Sequence, residues 1–489
     1  MPYRRGRLLP ALLAVLIAAA GPAAADPAAT NAAADPAAAN PAATGAAADL
    51  AAADPAATGA AAANPAAASA AAVVDGPVLG RNFPDPDVVK IGDTYHAYAT
   101  STVGRNIQHA TSRDLVNWTL AASDPLPALG AWVDDGHRRV WAPDVFDNGD
   151  GYTMHYTAHD RASGKQCIGT ALASSPDGPF RPVGDAPLIC PAGQGGAIDA
   201  AGYTVNGRRH MLWKSDGNCC GLDAWIHLQP VSGDGTRTAG PAVRLFKQEL
   251  PWEGGVVEAP TLIRRDGRYV LFYSAGSYEG YGYATGYAVA DRLTGPYTKA
   301  AEPLISTESF AGAVRGPGGQ DLVTGPDGRD RTVFHGWNAD RSQRFMYAAD
   351  LVFANGRPFV RGSAVRYQAE DARLHRAKVR EAAGALGGRA VAYIDRDDSS
   401  VEFRAFAVSA GVHLLSVRYG NGSLDEGRPA GASHNLSVNG EDAGVVLYPY
   451  TGWDTWRHAR RPVVLAAGWN TMRLSKGERH AELDCLEAG

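Results

Sequence analysis

Five stretches of this 489-residue chain share one texture, and that recurrence constrains the fold more than any other feature. They are "IGDTYHAYATS" (91–101), "GDGYTMHYTA" (149–158), "VNGRRHMLWKS" (205–215), "RDGRYVLFYSAG" (265–276) and "PDGRDRTVFHGW" (326–337). Each sets a glycine turn ahead of an aromatic and β-branched run, the signature of a tight hairpin. The turn glycines Gly92, Gly151, Gly207, Gly267 and Gly328 are spaced by 59, 56, 60 and 61 residues. Such a period is too long for one hairpin and suits a four-stranded sheet with its loops. Five radial repeats of that unit predict an all-β chain whose middle is a five-bladed β-propeller. A β-sandwich built from the same hairpins is the competing architecture.

Upstream of each turn glycine stands a polar, mostly acidic residue. The local texts are "PDPDVV", "APDVF", "AIDAAGY", "VEAPTL" and "GQDLV", carrying Asp85, Asp144, Asp199, Glu258 and Gln320-Asp321. First strands line a propeller's axis, so equivalent positions of five blades converge, and the reading is a ring of acids around that axis. Crowded carboxylates raise one another's pKa. Metal binding or acid/base catalysis are the chemistries that use such a cluster. Two carboxylates on opposite sides of a glycosidic bond would perform hydrolysis. Asp87 reads as a strand-end or turn hydrogen-bonding residue, since Asp and Pro also serve turns. Trp141 either stacks on a sugar ring or fills core.

The motifs "NFPDPDVVKIGDTYHAYATS", "WAPDV", "GGAIDA" and "VVEAPTLIRRDGRYVLFYSAG" resemble glycoside hydrolase family 43 over residues 75–363. The resemblance implies a five-bladed propeller and an inverting enzyme acting on arabinofuranosyl or xylosyl linkages of plant cell-wall polysaccharides, as α-L-arabinofuranosidase, β-xylosidase or arabinanase. It implies Asp85 as the base that activates water and Glu258 as the acid. Asp199 would orient the acid and raise its pKa, with Trp141 and Asp144 contacting substrate. His335, in "FHGW", resembles a position that holds a hydrated cation near the axis. The histidine usual after "GPG" is replaced here by Gly319 and Gln320, which weakens the expectation of that cation. A propeller without catalysis, acting as a lectin, is the rival from another class; loss of one of the three carboxylates would have favoured it, and all three are present.

Beyond "NGRPFV" (355–360) the texture changes to short strands such as "SVEFRAFAV", "VHLLSVRYGNG" and "HNLSVNG", which predict a β-sandwich (jelly-roll) over 364–489. "YQAEDA", "RYGNG", "VNG" and "ELD" together resemble carbohydrate-binding modules of families 35 and 6. That likeness implies a structural calcium held by Gln368, Glu370 and Asp484. It also implies sugar contacts at Tyr393, Trp453 and Trp456, with Glu482 where a family 6 module often places an asparagine.

Arg4, Arg5 and Arg7, the apolar run from Leu8 to Ala20 and Ala23-Ala24-Ala25 read as a signal peptide over 1–25. The Ala/Pro-rich segment 26–74 has almost nothing large to bury and reads as a disordered spacer. The expectation is a secreted protein with no membrane span after cleavage. A net charge of −5 without a basic run excludes a nucleic-acid partner. Export permits disulfides. Four cysteines allow three connectivities; the expected pairs are Cys167–Cys190 and the adjacent Cys219–Cys220, with Cys485 a buried inert thiol.

Overall fold

The computed structural model describes residues 76–488, Arg138 apart. The expected signal peptide and spacer lie outside the described residues. Among the described residues there is no α-helix, only strands and short 3-10 turns. Residues 87–360 form five four-stranded antiparallel sheets in chain order. Their first strands are Asp87–Ile91, Trp141–Asp147, Ala197–Val205, Val257–Arg265 and Arg315–Thr324. Each lies against the first strand of the next sheet, and the fifth lies against the first, so the set closes into a ring.

Five apolar cores fill the five spaces between consecutive sheets. Tyr98 and Ile107 meet Met154 and Tyr156 between the first and second sheets. Val88 and Tyr95 meet Val333 and Met346 between the fifth and first. A second tie closes the ring there: Leu79 exchanges backbone hydrogen bonds with Met346 at 3.2 Å. The five turn glycines all sit at positive φ, between 58° and 154°, which explains why the turns demanded glycine. Those turns join first to second strands and so lie at the end of the ring opposite the strand entrances.

The last strand of the fifth sheet ends at Val360 and the next strand begins at Val365. Residues 365–488 form two further large sheets and a two-stranded ribbon of Leu424–Asp425 and Arg428–Pro429. One contains Glu482–Ala488 flanked by Gly411–Asn421, Arg389–Ala392 and Val365–Gln368; the other contains Ser400–Ala407, Gly468–Lys476 and Ala432–Val438. They share one core that includes Phe403, Val417, Leu436, Tyr448, Met472 and Leu486. Phe359 stacks on Phe406 with ring centroids 4.1 Å apart, and Trp469 meets Phe406 edge-on at 5.3 Å. These rings join the fifth four-stranded sheet to the C-terminal pair.

Candidate active site

Each first strand opens with the same irregularity. Asp85, Ala142, Asp199, Ala259 and Gly319 all have left-handed backbone, with φ of 54°, 35°, 57°, 47° and 57°. Strand register shifts around this point in the second, third, fourth and fifth sheets. A non-glycine residue held there costs on the order of 1–3 kcal/mol, and such strain collects at functional sites. These five residues and the two following each of the first, third, fourth and fifth line one small axial cavity of about 40 Å³.

The repeat therefore contains two rings rather than one. The mouth ring is Asp85, Ala142, Asp199, Ala259 and Gly319. Two residues deeper lies Asp87, Asp144, Ala201, Thr261 and Asp321. The sequence reading placed Asp144 and Asp321 level with Asp85 and Asp199; the structure corrects both by two residues. The deeper acids hold neighbouring sheets together. Asp87 accepts the Val145 N–H at 2.9 Å, Asp144 that of Gly202 at 2.9 Å, and Asp321 that of Val88 at 2.8 Å. Asp144, expected as a substrate contact, is buried and paired with Arg209 at 3.5 Å and His155 at 3.2 Å. It has no capacity left for a sugar. Trp141 is half-buried at its strand's mouth.

Asp85, Asp199 and Glu258 are brought together. Asp85 is held from three sides. The Thr100 hydroxyl donates to its Oδ2 at 2.7 Å, and Thr100 in turn accepts the Ala142 N–H. Arg344 Nη1 lies 3.4 Å from Oδ1. The backbone N–H of Asp85 donates to His335 Nδ1 at 3.1 Å. Glu258 receives Lys214 Nζ at 3.0 Å on one oxygen and the Tyr283 hydroxyl at 2.8 Å on the other. Asp199 accepts the N–H of Ala259, the residue after Glu258, at 2.8 Å. Burial and the nearby Glu258 charge push the Asp199 carboxyl up to about 8. Lys214 is buried and shared with Asp216 at 3.2 Å. Sequence reasoning missed Lys214 and Tyr283. Their signal was a lysine inside an apolar strand and a tyrosine closing a glycine-rich loop, and neither recurs in the repeat.

His335 does not fit a cation ligand. It is fully buried, its Nδ1 accepts from Asp85, and Arg344 Nη1 sits 3.4 Å from its Nε2. Burial and the guanidinium hold its pKa well below the usual imidazole range, so it is neutral. Gln320 offers nothing either: Ser274 and Thr285 donate to its oxygen, and its amide donates to Ala259. The expected cation at the axis is thus replaced by a guanidinium, and His335 positions Asp85 instead.

Residues 74–357, more than half of the chain, match the family model for glycosyl hydrolases family 43. The chain belongs to that family. It is therefore a glycosidase. Over 292 residues the family 43 chain is 27% identical to the extracellular endo-alpha-(1->5)-L-arabinanase 1 of Bacillus subtilis, covering 56% of this chain and 86% of the relative. It is 28% identical over 279 residues to alpha-L-arabinofuranosidase 43 of Humicola insolens, covering 51% of this chain and 54% of that one. It is similar to the crystal structure of a thermostable family-43 glycoside hydrolase, with TM-score 0.52 and 28% identity over 57% of this chain and 93% of the other. No helix among the described residues is long and apolar enough to cross a membrane.

Both expected disulfides are present, Cys167–Cys190 and Cys219–Cys220, and Cys485 is a buried free thiol whose pKa burial raises to about 12. In the C-terminal sheets Gln368 pairs with Cys485, beside Asp484. Gln368 Oε1 and Glu370 Oε2 are buried without a hydrogen-bond partner, and Asp484 is fully buried. Orphaned oxygens of this kind suit a hard cation such as calcium. The Arg418 guanidinium crowds Asp484 from one side. Tyr393 is 58% exposed and Trp453 46%, the latter lying over Gly422. Trp456 is half-buried and donates its indole N–H to Ala383. Glu482 is a correction: Arg380 grips both its oxygens, so it forms a structural ion pair rather than a ligand contact.

Proposed function

We propose that the protein is a secreted, inverting glycosidase that hydrolyses arabinofuranosyl or xylosyl linkages of plant cell-wall polysaccharide. On this reading the ring of five sheets is a five-bladed propeller spanning 75–363. Asp85 activates water, Glu258 protonates the leaving oxygen, and Asp199 orients Glu258. The gathering of these three carboxylates, each at or beside the strained opening of a different first strand, carries the proposal. It is supported by the names of the arabinanase and arabinofuranosidase relatives. Thr100, His335 and Arg344 fix Asp85 at the wall of the axial cavity. Lys214 and Tyr283 fix Glu258.

The two sheets of 364–489 are proposed as a carbohydrate-binding sandwich resembling families 35 and 6. Calcium held by Gln368, Glu370 and Asp484 would stiffen it, with Tyr393 and Trp453 as the exposed aromatic contacts. Incubation with nitrophenyl α-L-arabinofuranoside and nitrophenyl β-xyloside tests the reading. Release of nitrophenol with an inverted sugar by proton NMR is expected. A retained anomer rejects the mechanism, and no turnover of either glycoside or of arabinan rejects the substrate class.

A further inference from the structure

The loop after the third sheet's second strand carries an unusual surface. Cys219 and Cys220 are bonded to each other and both are exposed. A bond between neighbours closes no chain loop of useful length, so it contributes little through unfolded-state entropy. Neither residue packs into a core. The bond therefore fits neither of the usual structural purposes of a disulfide. What it does is lock two adjacent side chains with polarisable sulfurs into one small exposed plate, in which Cys219 Sγ lies 3.7 Å from the Gly195 carbonyl oxygen. Leu222 beside it is 49% exposed, which adds apolar surface.

The plate is rigid and its place is fixed. Cys219 N–H donates to the Asp216 carbonyl at 3.2 Å, and Leu222 N–H to that of Gly217 at 2.9 Å. A Cβ on Gly217 would lie 2.1 Å from the Asp223 carbonyl oxygen, so the loop is folded tightly on itself. Lys165 Nζ, from the second sheet, reaches Cys220 Sγ at 3.0 Å. The Asp216 carboxylate shares Lys214 with Glu258. The disulfide thus belongs to the loop at the strand-entrance end of the third sheet, linked through Asp216 and Lys214 to Glu258. Asp85 belongs to the first sheet, across the mouth.

From this placement we propose that the Cys219–Cys220 disulfide is a binding platform for the sugar on the leaving-group side, meeting its apolar C–H face. The inference rests on the proposed role of Glu258, since the departing sugar leaves on the side of the group that protonates it. Aromatic rings usually supply such a plate; here two sulfurs do.

The test compares the wild type with a Cys219→Ser/Cys220→Ser double variant. Two substrates are used, α-1,5-arabinotriose and α-L-arabinofuranosyl fluoride, or xylotriose and xylosyl fluoride if the wild type prefers them. The fluoride has no sugar on the leaving side. The ratio of kcat/KM for the trisaccharide to that for the fluoride should fall about tenfold in the variant, the scale of one lost apolar contact. An unchanged ratio overturns the proposal at any absolute rate, because a partly unfolded variant lowers both rates alike. A wild type that cleaves neither refutes the substrate reading instead. The platform is then read by calorimetric titration with both trisaccharides, where tenfold weaker binding by the variant supports it and equal affinity overturns it.

Discussion

Gly319→Ala tests how tightly the base proposed at Asp85 is held. Gly319 sits at φ 57°, and a Cβ there would lie 2.5 Å from His335 Nδ1, 2.6 Å from its Cε1 and 2.8 Å from Asp85 Oδ1. Ordinary contact begins near 3.4 Å, so the imidazole must retreat by about 0.9 Å and the carboxylate by about 0.6 Å. Neither can do so freely. His335 is fully buried against the Tyr283 ring and tied to Asp85 N–H, and Asp85 is tied to Thr100 and Arg344. A misplacement of roughly 1 Å at a reacting group costs on the order of a hundredfold in rate. The fold loses less: about 1–2 kcal/mol for a left-handed alanine, plus about 1–3 kcal/mol for overpacking.

The expected result is kcat on an aryl glycoside down about a hundredfold, with a cooperative thermal transition retained. The assay pairs steady-state kinetics with calorimetry on the same preparation. Wild-type kcat in a folded Gly319→Ala variant would refute the argument. So would a rate loss that tracks the unfolded fraction alone.

Asp85→Asn should lose roughly two to four orders of magnitude in rate, and full activity there would return "PDPD" to an ordinary turn. Glu258→Gln should lose as much on poor leaving groups yet spare dinitrophenyl glycosides, compared side by side by stopped assay. The wild-type alkaline limb should fall near the Asp199 value of about 8, and Asp199→Asn, which cannot ionise, should remove that limb from the pH–rate profile. Chelation with EDTA should lower the melting temperature of the transition belonging to 364–489, and calcium should restore it, as read by calorimetry. Deleting 364–489 should weaken pull-down on insoluble arabinan or xylan; because it bares Phe359, solubility must be checked in the same experiment.

The hairpin turns were legible because a left-handed turn excludes most residues but glycine, and all five turn glycines have that conformation. Asp85, Asp199 and Glu258 were legible through motif and spacing. The level of each acid was not. Counting from the turn glycine assigns Asp144 to the mouth, because the bulge that separates the two rings is a backbone event with no single residue type. Asp, Ala and Gly all occupy it. His335 was misread for a related reason: a buried imidazole at an axis looks the same in sequence whether a cation or a guanidinium faces it. Arg344 decides the matter from another strand of the fifth sheet. The Glu482 pairing with Arg380, 102 residues away in the chain, was likewise beyond any local pattern.

The two rings use the same side chain for opposite ends. In the deeper ring Asp144 is buried and Asp87 and Asp321 are half-buried, and Arg209 is the cation that bears on Asp144 and Asp87. Burial and the neighbouring Asp321 and Asp144 charges raise Asp87 well above its ordinary value, and burial raises Asp321 to about 6. A carboxyl that costs this much to ionise is retained for its hydrogen bonds, and each of the three does accept the N–H of the next sheet. At the mouth the balance is reversed. Asp85 keeps 21% of its side chain exposed, and Glu258 keeps 14%. Asp199 alone combines both, since it accepts a neighbouring sheet's N–H and titrates near 8. Between its ordinary pKa and about 8 the folded protein holds a proton that the unfolded chain has released, so stability falls as pH rises through that window. An acid whose proton is worth keeping to the fold at neutral pH is also one that stays protonated beside Glu258 while the site works. Burial and the Glu258 charge keep that proton on Asp199 against the pull of the Ala259 N–H, which favours the ionised form.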